Sequence, residues 1–131
     1  MEDSLNAALR EDAAVGAIVG AGASARVYPL VLPQSVNLPA VTYQRISTPR
    51  VVTTTLSGPN ARVNCRMQVD CWAGTFAQAK ALSSAVRAAL LSADSFTAIA
   101  IDNRDLYEPG DRADGLSIFR SSADYSCWYL E

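Results

Sequence analysis

Five carboxylates recur at three-residue intervals in the C-terminal third of the chain: Asp102, Asp105, Glu108, Asp111 and Asp114. Acidic side chains this dense could hold a divalent cation. A calcium loop of the EF-hand kind, however, draws its ligands from alternate positions and closes with a Glu, and this spacing does not follow that pattern. Arg104 and Arg112 in the same stretch would oppose a bound cation. Residues 102–114 therefore read as a solvated, self-paired charged loop, turned at Pro109-Gly110. No metal or cofactor site is expected.

Three cysteines, Cys65, Cys71 and Cys127, offer thiol chemistry. The first two, on one strand, would lie about 20 Å apart. A disulfide needs Cα atoms within about 7 Å, so those two cannot pair. Cys127 could reach one of them across a sheet. Reduced, buried thiols acting as small apolar side chains are the simpler reading. Gly16, Gly20 and Gly22 imitate a phosphate loop, but no Gly-Lys-Ser/Thr follows and no strand precedes them. They read as helix terminators.

Histidine is absent, which removes the commonest general base and the usual partner of a serine nucleophile. Arg62 and Arg66 stand near Trp72 on one strand face and could form a nucleic-acid platform. A solvent-facing or subunit-facing surface uses the same residue types. Net charge is -2, and the single lysine, Lys80, and ten arginines are scattered without a basic stripe. Tight phosphate binding is disfavoured.

The elements that must position these residues follow from periodicity. At 131 residues, 50% apolar and 18% charged, the chain suits one globular domain. The acidic start and the short apolar stretch 13–19 suit neither a signal peptide nor a membrane span. Residues 4–20 read as one helix plus a short second one, with Leu5, Ala8 and Leu9 on a common face and Asp12 capping the new turn. Arg26–Pro29 reads as a short strand, 30–39 as a proline-punctuated extended loop, and Ala40–Ser47 as a strand.

Val51–Leu56, a turn at 57–60 and the alternating run Val63, Cys65, Met67, Val69, Cys71 predict a long hairpin. Its tip, about 50–62, projects beyond the body. Thr75 and Gln78 have capping-box spacing before a helix that buries Phe76, Ala79, Leu82, Val86 and Leu90. Phe96–Ile101 and Leu116–Leu130 complete the strands, the latter with Phe119, Ala123, Tyr125, Cys127 and Tyr129 on one side. The expected fold is α+β: a single domain over 1–131, with a mainly antiparallel sheet and two main helices packed on one face.

Several stretches together resemble the phage tail completion (head–tail joining, or tail terminator) family. They are Arg26–Gln34 (RVYPLVLPQ), Leu38-Pro39, Val41–Ser47 (VTYQRIS), Val63–Thr75 (VNCRMQVDCWAGT) with Phe76–Leu82, Asp105–Glu108 (DLYE) and Asp124–Tyr129 (DYSCWY). Thr53-Thr54-Thr55 and the turn after it depart from the family's pattern.

The resemblance implies a non-enzymatic virion assembly protein of a phage or a phage-like gene transfer particle. Such a protein is made in the host bacterial cytoplasm and used at the head–tail junction. It forms a homo-oligomeric ring, of six copies, on the tail tube protein, stops tube growth and joins the tail to the head-closure connector. DNA passes through without specific binding, and no membrane is involved. Expected contact residues are Arg50, Leu56, Pro59, Arg62, Arg104, Asp105, Tyr107 and Arg112. A neighbouring connector or neck protein is the alternative reading, and a small nucleic-acid-binding module a further one.

Overall fold

Short-range signals set the helices. The computed structural model describes residues 1–33, 37–48, 62–108 and 118–130. Helix α1 (Glu2–Glu11) and α2 (Ala13–Val19) meet at Asp12, whose carboxylate accepts the Ala14 and Val15 backbone N–H groups at 3.0 Å. That cap satisfies two of the donors a helix start leaves orphaned. Gly20 ends α2 at φ 91°, a backbone angle that a side chain would strain. Helix α3 (Phe76–Leu91) starts where the Thr75 hydroxyl accepts the Gln78 N–H.

Strands β1 (Val27–Pro29), β2 (Ala40–Ser47), β3 (Arg62–Ala73), β4 (Thr97–Glu108) and β5 (Ile118–Leu130) form one sheet, ordered β1-β2-β3-β5-β4. Only β1 runs parallel to its neighbour. The alternation of β3 becomes its two faces. Val63, Cys65, Met67, Val69 and Cys71 are buried, as are Ala123, Tyr125 and Cys127 of β5 beside them. All three helices contribute to the core over this face: Leu5, Leu9, Val15 and Val19 from the first two, and Leu82, Val86, Ala89 and Leu90 from α3. Each such aliphatic side chain contributes about 1.5–3 kcal/mol of burial.

Two arginines brace the helices to the sheet edge. Arg10 donates to the carbonyls of Gly22 and Val27, and Arg26 to those of Pro39 and Ile18.

Two expectations need correction. Residues 102–108 are not part of a loop: they extend β4 to Glu108. β4 is the last strand of its sheet, so charged residues there reach water from the strand edge and no ladder is broken. A register shift between Ala100 and Asp102 inserts Ile101 and disrupts the alternation that would have revealed the strand. Phe76 is not buried under α3. It opens the helix, remains half exposed, and packs against Phe119 instead. The expected strand at 51–56, the turn at 109–110 and all of the projecting tip at about 50–62 except Arg62 lie outside the described residues.

Candidate assembly surface

The helix-free face of the sheet carries Asn64, Arg66, Gln68, Asp70 and Trp72 from β3, next to Arg120, Ser122, Asp124, Ser126 and Trp128 from β5. Several of its charges are paired with one another. Arg66 donates to Asp124 at 2.6 Å, and Arg104 of β4 lies 3.7 Å from the other oxygen of Asp124 and 3.4 Å from Asp102. Arg120 covers the Trp72 ring at 5.0 Å, and the Trp72 indole N–H donates to the Thr42 hydroxyl. An arginine–aromatic platform for single-stranded nucleic acid needs an open ring face and free cations. Here Arg66 is paired and the Trp72 ring is covered. Asp124 Oδ1, Ser122 Oγ, Arg66 Nε and Arg120 Nε are buried on this face with no hydrogen-bond partner.

The opposite face of β4 carries a second group. Lys80 on α3 reaches Asp105 at 2.7 Å, and its ammonium lies 5.6 Å from the centre of the Phe76 ring. Phe76 meets Phe119 edge-on at 6.3 Å, and Tyr107 tilts against the same Phe119 at 5.0 Å. Three aromatic rings from distant parts of the sequence meet at one end of the edge strand, Phe76 and Tyr107 exposed and Phe119 partly buried between them.

β4 itself is open. Every residue from 99 to 107 is exposed, among them Ile99, Ile101, Leu106 and Tyr107. Among the described strands β4 pairs only with β5, and its outer edge runs beside exposed apolar side chains, the usual template for pairing with another chain. Arg104, Asp105 and Tyr107 are therefore brought together on one edge strand, Arg104 towards the helix-free face and the other two towards α3. Arg62 opens β3 opposite Leu130. Arg50, Leu56, Pro59 and Arg112 lie outside the described residues.

The three thiols are buried and free. Cys65 and Cys127 are cross-strand partners. Burial pushes the Cys127 thiol up to about 12 and raises those of Cys65 and Cys71 as well. None has the lowered pKa that makes a nucleophile. Among the described residues, no group of three His, Cys, Asp or Glu side chains is placed to hold a metal ion, and no helix is long and apolar enough to cross a membrane.

A family model described as tail completion protein gp17 matches residues 3–130. The chain belongs to this tail completion family. A tail completion protein is a structural component of a phage-type tail, which agrees with a surface built of ion pairs, aromatic rings and an open strand edge. The fold of this tail completion protein is shared with a chain from the virion of a native gene transfer agent (GTA) particle. The two superpose with a TM-score of 0.70 at 20% identity, covering 100% of this chain and 95% of that one. No curated protein sequence matches it.

Sequence reasoning missed Phe76, Ile99 and Leu106 as exposed residues, and missed the contacts that bring Lys80 and Phe119 to Phe76. Nothing local marks them. Phe76 sits at a position that helix periodicity would bury, and only its place at the start of α3 exposes it.

Proposed function

We propose that this tail completion protein works as a closed ring, of six copies, at the head–tail junction. One rim of the ring sits on the end of the tail tube and stops its growth, and the other receives the head-closure connector. The observation that carries this reading is the exposed β4 edge, with Ile99, Ile101, Leu106 and Tyr107 unburied along a strand. A monomer gains nothing from such an edge and risks aggregation, whereas a neighbouring copy can cover it.

Arg104, Asp105 and Tyr107 face neighbours in this arrangement, and Arg50, Leu56, Pro59, Arg62 and Arg112 complete the proposed contacts. DNA passes through the centre without being gripped. The net charge of -2 and the internal pairing of Arg66 and Arg104 support a channel with little affinity for phosphate.

The test is removal of this chain from particle-producing cells, with its return on a plasmid as control. Particles without it should show overlong tails or tails detached from heads in negative stain. Joined tails of normal length would overturn the proposal.

A further inference from the structure

Leu30 follows β1 with a left-handed backbone, φ 63°, and the Val31 N–H donates to the Pro29 carbonyl at 2.7 Å. This closes a three-residue turn with a leucine at its centre, a rare and strained conformation for a residue with a side chain. The strain buries nothing: Leu30 is 68% and Val31 73% exposed. Together they form an apolar knob at the β1 end of the sheet.

At the other end, a groove of about 200 Å³ lies between α3 and β4. Ser83 and Arg87 form its α3 wall, the bulged Ala100-Ile101 its β4 wall, and Ala123 and Tyr125 its floor, with Asp102 and Asn103 on the rim. A hole of roughly 150 Å³ is what a core leucine leaves when trimmed, so an aliphatic side chain fits.

Knob and groove lie at the same height along the strands. Leu30 donates its N–H to Tyr43, and the next residue, Gln44, begins a row that runs through Gln68 and Asp124 to Asp102, beside Ile101. They stand about 19 Å apart, four strand spacings, at opposite ends of one sheet. One pair of charges is complementary in the helix layer. Near the knob, Glu2 opens α1 and is loosely paired with Arg45 of β2 at 3.5 Å. At the groove, Arg87 stands on α3. Copies placed head to tail bring Glu2 of one towards Arg87 of the next.

We infer that the Leu30-Val31 knob of one copy seats in the α3–β4 groove of the next. This inference rests on the ring reading above. It names the contact that repeats around the ring, a heterologous one that closes only by rotation.

The test uses the full-length chain on purified tail tubes, with rings scored independently by electron microscopy. Val31→Cys combined with Ile101→Cys, treated with an added oxidant, should give a ladder of self-linked chains on a non-reducing gel, and neither single variant should. Arg87→Glu should lower ring yield about tenfold, and adding Glu2→Arg should restore most of it. Rings that form without a ladder, or a link to a different protein, overturn this contact and leave the ring standing. Tube ends bare of rings overturn both.

Discussion

Arg66 and Asp124 meet diagonally across the β3–β5 pair with 2.6 Å between Nη2 and Oδ2, and they are unequal partners. The Asp124 side chain is 5% exposed and that of Arg66 44%. The carboxylate is thus a nearly buried anion held by a half-solvated cation, with Arg104 as a more distant second support. Loss of the cation strands a buried charge, while loss of the carboxylate frees two arginines into water. Arg66→Ala should lower unfolding free energy by about 1–3 kcal/mol, and adding Asp124→Asn should recover part of that loss. Urea denaturation of the four-variant cycle at constant m-value measures it. Equal additive losses would contradict the asymmetry.

Stability should fall at alkaline pH. Burial raises Cys127 to about 12 from 9.0 and Tyr125 to about 12 from 10.0, and raises Cys71 too. The folded chain therefore holds protons that the unfolded chain releases. The contribution is fully present below pH 9 and is lost as pH climbs from there through about 12. Melting temperature should decline over pH 9–11, and Cys71→Ala should flatten the decline. At neutral pH all three thiols should resist alkylation until the chain is unfolded.

Asp12 closes one helix and caps the next. Asp12→Ala should cost about 1 kcal/mol, and Asp12→Asn distinctly less, because an amide oxygen can still accept from Ala14 and Val15. Chemical denaturation distinguishes the two.

Leu30→Gly separates folding from assembly. Glycine relieves the left-handed strain but adds freedom to the unfolded chain, so stability should change by less than about 1 kcal/mol. Ring formation on tail tubes should drop sharply, since the knob is gone. A variant that assembles normally would show that the leucine side chain has no such role.

The helix-free face should not bind DNA. Because Arg66 and Arg104 are paired internally and Arg120 lies over Trp72, low-salt titration should reveal no affinity with a steep salt slope. A slope equivalent to several phosphate contacts, abolished by Arg66→Glu, would revive the nucleic-acid reading.

Near-neighbour chemistry was legible in the sequence alone. Asp12, Thr75 and Gly20 mark helix ends because caps and left-handed stops act within four residues. The run from Val63 to Cys71 declares a half-buried strand because its side chains alternate with period two. The family, too, could be recognised from runs along the chain. Only the tertiary structure decided that Arg66 faces Asp124, that Phe76 meets Phe119 edge-on, and that Leu30 and Ile101 stand at opposite ends of one row. Those relationships depend on strand order and register, which arise from closing a whole sheet over one core. The stretch from Asp102 to Glu108 looked like a loop for the same reason: its charges are tolerated in a strand only because that strand is the last in the sheet.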